Sequence, residues 1–349
     1  MRLGVAAAVV RGEVVPGDVR IREGLISDVG LDGSGTGTAV PGFVDLQVNG
    51  YGGIDLLTEP ERWREADLML AEVGVTTWVP TLISAEPEQT LHALRAIQLG
   101  VHLEGPFLAL PGAHPPSYLR EPDLELLQSF LAAGRVRSVT LAPELPGAFE
   151  LIDELRRHGI VVSLGHSAAD AATAHAAFDR NARTVTHLFN VMRSFAHRDP
   201  GLAGVALARD DVVVQLICDG VHLADETVLL AWRAARGRLA LVSDAIAAAG
   251  VGDGSFQLGG TEVDVEDGVS RTRDGALAGG TGTVLEAVRR LARLGVPLAE
   301  AVDAGTRVPA RILQRTDAGV LEPGARADVV VLDEELRVTR VLRAGIAVG

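Results

Sequence analysis

Acidic and histidine side chains recur directly after short apolar segments of the chain. Glu104 ends the segment VHLE, His166 follows VVSLG, His187 follows TVT, and Asp244 ends LALVSD. Two imidazoles and one carboxylate are typical ligands of a catalytic divalent metal, which keeps one further position for water. We therefore predict that Glu104, His166 and His187 bind such an ion. Zinc suits this donor set best, although Fe²⁺, Mn²⁺ and Co²⁺ fit it nearly as well.

Asp244 has the surroundings expected of a group that transfers protons. It ends a strongly apolar segment, where burial raises the pKa of a carboxyl group and a nearby cation lowers it. A carboxylate balanced in this way can accept a proton from water and return it to a leaving group. Taken singly, a histidine is more often a hydrogen-bonded core residue, and an aspartate can simply cap a helix. The recurrence of these residues at segment ends favours the catalytic interpretation.

Between Pro41 and about Arg315, eight short apolar segments alternate with segments of helical periodicity, and this order predicts a (β/α)₈ TIM barrel. The apolar segments are 42–48, 75–81, 100–104, 138–144, 160–166, 184–188, 212–219 and 239–244. An open doubly wound sheet would alternate similarly, but it usually has fewer strands and a glycine-rich phosphate loop after the first one. In a barrel the reacting groups lie at the C-terminal ends of the strands, where the four residues above fall.

The two ends of the chain differ from this central region. Both alternate short β-rich segments with turn residues, and neither is long enough to bury a face alone. We expect residues 1–40 and 316–349 to pair into one small β-sandwich domain beside a barrel of residues 41–315. A polar, glycine-rich stretch at about 250–280 predicts an inserted hairpin or active-site loop.

The composition excludes several kinds of chemistry. The 349 residues include no lysine, so all 32 basic side chains are arginine. Schiff-base and pyridoxal-phosphate enzymes, Walker-A nucleotide binders and hydrolases bridged by a carbamylated lysine all need a lysine amine. The net charge of −14 argues against binding to nucleic acid or an anionic membrane. A single cysteine, Cys218, suits the reducing cytoplasm, where we expect the protein to act.

Nine segments of the chain together resemble the N-acetylglucosamine-6-phosphate deacetylases, a family of the amidohydrolase superfamily. They occur in the family's order and cover most of the barrel: PGFVDLQVNGYGG (41–53), HLEGPFL (102–108), GAHPPSYLR (112–120), TLAPE (140–144), SLGHS (163–167), THLFNVM (186–192), RDPGLAG (198–204), DGVHL (219–223) and VSDA (242–245). The resemblance implies metal-dependent hydrolysis of N-acetyl-D-glucosamine 6-phosphate to D-glucosamine 6-phosphate and acetate. It also implies that Glu104, His166 and His187 are the metal ligands and Asp244 the catalytic acid and base.

The same resemblance assigns the substrate contacts. Ala113 and His114 match a pair beside the acetamido group, and Asn190 and Val191 match positions that hold the sugar phosphate, partly through the backbone. Further matching contacts are Arg198, His222 and the turn formed by Leu277, Ala278 and Gly279. In relatives the arginine can come from the neighbouring subunit. The resemblance thus implies a homodimer, with Arg198 acting either in its own subunit or across the interface.

Two positions depart from the pattern of related enzymes. Many amidohydrolases place His-x-His after the first strand to hold a second metal, whereas Gln47 and Asn49 stand here. Amides bind such metals poorly, so we predict one metal per subunit. Gly280 follows the turn described above, where relatives often have serine, and this changes the contacts expected there.

Three alternatives stay open. The first is the same reaction on N-acetylgalactosamine 6-phosphate, which differs at one ring hydroxyl. The second is another N-acyl amidohydrolase activity, against which the THLFN and RDPG segments and the lack of lysine count. The third, a non-catalytic sugar-phosphate sensor, is the least favoured because Glu104 and Asp244 are both present.

Overall fold

A computed structural model describes residues 1–33 and 35–349. The strands in chain order are β1 Ala7–Val10, β2 Glu13–Pro16, β3 Asp18–Arg22, β4 Leu25–Leu31, β5 Thr38–Pro41, β6 Phe43–Val48, β7 Gly50–Tyr51, β8 Ile54–Asp55, β9 Val75–Ile83, β10 Val101–Glu104, β11 Val136–Leu141, β12 Val161–Leu164, β13 Thr184–Val185, β14 Val213–Ile217, β15 Leu239–Val242, β16 Gly254–Leu258, β17 Thr261–Glu266, β18 Val269–Thr272, β19 Val329–Leu332, β20 Val338–Arg343 and β21 Ile346–Ala347. The α-helices are α1 Trp63–Glu72, α2 Pro87–Ala96, α3 Leu124–Ala133, α4 Ala148–Arg157, α5 Ala171–Asp179, α6 Gly201–Ala208, α7 Asp225–Ala234, α8 Val284–Arg293, α9 Leu298–Ala304 and α10 Arg307–Ile312.

Eight parallel strands form the central sheet, in the order β6, β9, β10, β11, β12, β13, β14 and β15. A parallel bridge between Val48 and Ala245 brings the first strand to the segment that follows the eighth. Each apolar segment predicted as a strand overlaps one of these strands, and the predicted (β/α)₈ barrel is confirmed. Within residues 1–33 and 35–349, no helix has both the length and the apolar character needed to cross a membrane.

The helices pack on the sheet through buried apolar side chains. In α4, Leu151 and Leu155 are buried, whereas Arg156 and Arg157 are exposed. The two leucines are four residues apart, which places them on the same face of the helix. Several helices begin at a residue whose side chain satisfies a free backbone amide. Thr283, for example, caps α8 in a reciprocal pair of hydrogen bonds with Glu286.

The amino-terminal end of the barrel is filled by apolar side chains. Helix α10 and the residues after it contribute Val308, Ala310 and Leu313, which pack with Val44 and Val79 from the strands. This cluster fills the barrel interior near its amino-terminal end, and the groups that could react lie at the opposite ends of the strands.

Segments from both ends of the chain share a second sheet, in the order β2, β1, β5, β19, β20 and β21. The hairpin of β3 and β4 lies beside it, and Val5, Ile21 and Val329 belong to the core between them. Pro41, predicted as the first residue of the barrel, pairs with Val329 in this terminal sheet. The limits of 1–40 and 316–349 for the small domain stay a proposal. The stretch predicted as an insertion contains the antiparallel strands β16, β17 and β18.

Candidate metal and catalytic site

Glu104, His166 and His187 meet at the C-terminal ends of β10, β12 and β13. Their ligand atoms all lie within 4.8 Å of one another, and all three side chains are buried. Glu104 Oε1 is 3.0 Å from His187 Nε2 and 3.3 Å from His166 Nε2, and these two nitrogens are 3.1 Å apart. Three donors of the N, N, O type converging in this way fit one divalent ion.

Hydrogen bonding fixes the tautomer of His166. Its Nδ1 donates to the carbonyl oxygen of Leu110 at 2.8 Å, so the lone pair on Nε2 faces Glu104. Burial, with a contribution from His114, lowers the pKa of His166 to about 4, which keeps the ring neutral at neutral pH. A neutral imidazole held by its second nitrogen is the form that binds a metal.

The charges around the cluster favour a cation at its centre. Burial opposes the ionisation of Glu104, yet contacts with His114, His166 and His187 hold its pKa well below the usual range. Burial also opposes the protonation of His187, but the carboxylates of Glu104 and Asp244 raise its pKa. A positive charge is thus stabilised between two buried carboxylates, and the same electrostatics would stabilise a divalent ion.

Asp244 lies beside this cluster but outside the group of ligand atoms. It is buried at the end of β15, and burial together with the charge of Glu104 raises its pKa to about 7. A carboxyl group with a pKa near neutrality can both accept and return a proton. The position therefore suits the role predicted for it.

The backbone is strained at three of these four residues. His166, His187 and Asp244 have φ angles of 50°, 29° and 51°. Residues other than glycine rarely adopt this left-handed region, and such strain persists mainly where the surrounding structure holds a functional group in place. The strain therefore supports the assignment of a functional role to all three.

Gln47 and Asn49 each donate a hydrogen bond to one carboxylate of the site. Gln47 Nε2 lies 3.0 Å from Glu104 Oε1, and Asn49 Nδ2 lies 2.9 Å from Asp244 Oδ1. The residues are two apart on one chain segment, so their side chains share a face. Sequence reasoning recognised them only as poor metal ligands. In the structure they orient the carboxylates of Glu104 and Asp244 separately.

His114 is held in the opposite tautomer to His166. The backbone amide of Ser84 donates to its Nδ1 at 3.2 Å, so Nδ1 is an acceptor and the proton lies on Nε2. This Nε2 is 3.7 Å from Glu104 Oε2 and faces the cluster. His114 is therefore a hydrogen-bond donor directed into the site.

One cavity of about 240 Å³ brings together almost every residue predicted for the site. Its lining includes Glu104, His166, His187, Asp244, Ala113, His114, Asn190, Val191, His222, Leu277, Ala278 and Gly279. His222 is oriented by Asp219, whose Oδ2 is 2.7 Å from its Nδ1. The side-chain amide of Asn190 donates to the backbone oxygen of His187 at 3.1 Å, which ties this segment to one of the three convergent residues.

Apolar residues that sequence reasoning missed complete the cavity wall. Ile83 and Ile217 end β9 and β14, so their positions at strand ends were a usable signal. Leu258 belongs to β16 in the inserted sheet, and nothing in its local sequence distinguishes it from a structural leucine.

Arg198 is the one predicted contact that does not line the cavity. It is exposed in segment 193–199, which follows Asn190 and Val191 along the chain. The structure therefore leaves its guanidinium on the surface of the subunit.

Close packing of the backbone explains why position 280 is a glycine. A Cβ atom there would lie 2.2 Å from the backbone oxygen of Ser243. The amide of Gly280 donates to the backbone oxygen of Asp244 at 2.8 Å. The inserted segment thus returns directly against the strand end that carries Asp244, and this close approach leaves no room for a side chain.

The chain is similar to known proteins along most of its length. The model of a family described as "Amidohydrolase family" matches residues 38–347 of this chain. The chain is 38% identical over 321 residues to an N-acetylgalactosamine-6-phosphate deacetylase of Escherichia coli O157:H7, covering 86% of this chain and 85% of that protein. It is also 38% identical over 335 residues to an N-acetylglucosamine-6-phosphate deacetylase of Bos taurus, covering 87% and 82%.

Solved structures agree with these relatives. The N-acetyl-D-glucosamine-6-phosphate deacetylase of Mycobacterium smegmatis, a mutant in complex with N-acetyl-D-glucosamine-6-phosphate, superposes with a TM-score of 0.95 at 36% identity. The match covers 100% of this chain and 99% of that one. The N-acetylglucosamine-6-phosphate deacetylase of Thermotoga maritima gives a TM-score of 0.92 at 33% identity, with 100% and 99% covered. By its fold, its metal-type cluster and these similarities, the chain belongs to the amidohydrolase family.

Proposed function

We propose that the protein hydrolyses the acetamide of N-acetyl-D-glucosamine 6-phosphate, giving D-glucosamine 6-phosphate and acetate. The observation that carries the proposal is the position of Asp244, a buried proton-transfer group in the same cavity as the three convergent ligands. Relatives with this activity, one of them solved with that sugar phosphate, support the choice of substrate.

Glu104, His166 and His187 would hold one divalent ion, for which Zn²⁺ is the proposed identity because the donors are two imidazoles and a carboxylate. When bound, such an ion polarises the amide carbonyl and makes water more acidic. Gln47 and Asn49 already donate to carboxylates, which supports a single ion in each subunit.

Asp244 carries the proton through the reaction. As a carboxylate it accepts a proton from the attacking water, and as a carboxylic acid it then returns this proton to the departing nitrogen. Asn49 holds Oδ1, which leaves Oδ2 to face the reacting atoms. His114 donates from Nε2 to the amide oxygen as negative charge develops there.

The remaining cavity residues position the sugar phosphate. His222, held by Asp219, and the segment of Asn190 and Val191 form the proposed phosphate end, and Leu277–Gly279 also line the cavity. Binding energy from the phosphate, remote from the acetamide, orients the amide for attack.

The experiment that tests the substrate uses metal-loaded protein and the two N-acetylhexosamine 6-phosphates side by side. We expect amine release from the glucosamine derivative with a kcat/KM at least tenfold above that for the galactosamine derivative. The reverse ranking would assign the activity named for the Escherichia coli relative. Absence of release from both by protein with bound metal would contradict the proposed function.

We propose further that Arg198 completes the phosphate site of a second subunit in a homodimer. The support is its exposure, together with the exposure of Phe195 on the same segment, where an apolar ring at the surface is typical of an interface. Mixing inactive Arg198→Ala and Asp244→Asn chains tests this, since one site of each hybrid dimer would be intact. Recovery of activity is expected on mixing, and no recovery by hybrids shown to form would contradict the proposal.

We propose that the protein acts in the cytoplasm. Cys218 is a free, buried thiol, and burial raises its pKa to about 12, so it behaves as a small apolar side chain.

A further inference from the structure

A second cavity, larger than the candidate active site, lies at the opposite end of the barrel strands. Its volume is about 600 Å³. Its lining comes from the first residues of β9 and β11, the segments before β10 and β12, the end of α3, the chain between α10 and β19, and Arg343 at the end of β20. Arg137 is three residues before Thr140, which pairs with Glu104, so this cavity begins roughly 10 Å from the cluster along the strand. We call it the arginine cleft.

Five guanidinium groups line the arginine cleft: Arg135, Arg137, Arg315, Arg326 and Arg343. Three of them are neutralised by carboxylates. Arg315 pairs with Asp317 at 2.6 Å, Arg326 pairs with Asp328, and Arg343 pairs with Asp67 at 2.6 Å. Arg135 and Arg137 have no ion-pair or side-chain hydrogen-bond partner in the described part of the chain, 1–33 and 35–349. The cleft therefore carries an excess of two positive charges in a protein of net charge −14.

Arg137 is the residue that most needs an explanation. It is half-buried, and burial together with the nearby Arg315 lowers its pKa, so its charge is poorly compensated by the protein itself. The side chain of Arg137 also packs closely against the backbone of Gly100, since a Cβ atom added to this glycine would lie only 3.1 Å from the Cβ atom of Arg137. A guanidinium partly removed from water is best stabilised by an anionic partner.

We propose that the arginine cleft binds a phosphorylated small molecule, with the phosphate held by Arg137 and Arg135. A guanidinium donates two parallel hydrogen bonds to phosphate oxygens, which makes arginine well suited to this anion. The volume falls within the range of small-molecule sites and exceeds the need of an isolated phosphate. Leu99, Leu131 and Ile160 provide apolar surface for the organic part.

The position of the cleft gives a bound anion a structural consequence. Arg137 belongs to a barrel strand, whereas Arg326 and Arg343 come from the carboxyl-terminal segment that contributes to the terminal sheet. A molecule bound in the cleft would contact both parts of the fold, and we expect it to raise the unfolding temperature of the whole chain.

Trp78 lines the cleft and serves as a local reporter of binding. Inorganic phosphate is titrated at constant ionic strength, with chloride exchanged for it, while tryptophan fluorescence is recorded. We expect a saturable change in the unaltered protein and an apparent Kd at least tenfold weaker in Arg137→Gln, because a charge-assisted bidentate contact is lost. Arg95→Gln, which removes an exposed arginine outside the cleft, is the matched control and should titrate as the unaltered protein does.

Two further variants make the result specific. Arg198→Gln should keep the full fluorescence response, which separates the cleft from phosphate binding at the candidate active site. Arg135→Gln, at an exposed position, should weaken binding without risk to folding. The proposal would be overturned if chloride alone gave the same fluorescence response. It would also be overturned if Arg137→Gln and Arg135→Gln each bound phosphate with the Kd of the unaltered protein. No turnover is measured, so these outcomes are independent of the proposed function.

Discussion

Replacing Asn49 by leucine should move the acidic limb of the pH–rate profile. Asn49 Nδ2 donates to Asp244 Oδ1 at 2.9 Å, and both side chains are buried, so water cannot readily replace the bond. An ionised carboxylate only accepts hydrogen bonds, so this bond stabilises the ionised form of Asp244. A hydrogen bond to a charged group contributes about 1.5–3 kcal/mol. One pKa unit corresponds to about 1.4 kcal/mol, and its loss should therefore raise the pKa of Asp244 by about 1–2 units.

The assay is kcat/KM for amine release between pH 5 and pH 9.5 with metal-loaded protein. Burial and Glu104 raise the pKa of Asp244 to about 7, and a divalent ion beside it would lower that value, so the limb of the unaltered protein should lie below pH 7. In Asn49→Leu the limb should move upward by about 1–2 pH units, with most of the activity recovered at high pH.

Gln47→Leu is the matched control, because Gln47 donates to Glu104 rather than to Asp244. Loss of this support for a ligand should weaken metal binding about 10–100-fold, measured by competition with a chelator, while the acidic limb stays in place. The reasoning is refuted if Asn49→Leu lowers the rate equally at every pH, or if Gln47→Leu moves the limb as far.

Three other substitutions test separate parts of the structure. Phe43→Ala, which empties a fully buried position at the start of β6, should lower the free energy of unfolding by about 3–5 kcal/mol in urea titrations; a loss below about 1 kcal/mol would contradict the packing described. Burial alone would raise the pKa of Asp219, but His222 and backbone amides lower it to about 2. The ionised carboxylate therefore stabilises the fold above its unfolded pKa. Because solvent partly screens this exposed residue, Asp219→Asn should lower the free energy of unfolding by about 1 kcal/mol at pH 7, a difference that narrows as the pH falls from about 4 to 2. A constant difference over that range would contradict the linkage. His187→Ala should lose bound metal and activity together, as judged by metal analysis and amine release, and a variant that kept both would remove His187 from the ligand set.

The strands and the principal site residues could be predicted from sequence because both depend on local patterns. A buried parallel strand is a short apolar segment, and the residue after it lies at the C-terminal edge of the barrel. This reasoning places Glu104, His166, His187 and Asp244 together, as the structure does. His102, two residues before Glu104 on the same strand, is buried and hydrogen-bonded through both ring nitrogens to Thr81 and Thr140.

Features that depend on pairs of distant residues could not be predicted in this way. The bonds from Gln47 to Glu104 and from Asn49 to Asp244 join positions 57 and 195 residues apart, and no local pattern encodes which amide meets which carboxylate. The tautomer of His114 depends on Ser84 in the same way. The arginine cleft is assembled from segments spread between Thr76 and Arg343, so its charge is visible only after folding.

The central claim is that three residues hold the metal while a fourth, Asp244, moves the proton. The most direct test is metal content and amine release measured on the same preparation of Asp244→Asn. The account predicts one divalent ion per chain, as in the unaltered protein, with turnover of N-acetyl-D-glucosamine 6-phosphate lower by about 10³-fold or more, in the range of contributions from acid–base catalysis. Turnover close to that of the unaltered protein, or loss of the metal from this variant, would contradict it.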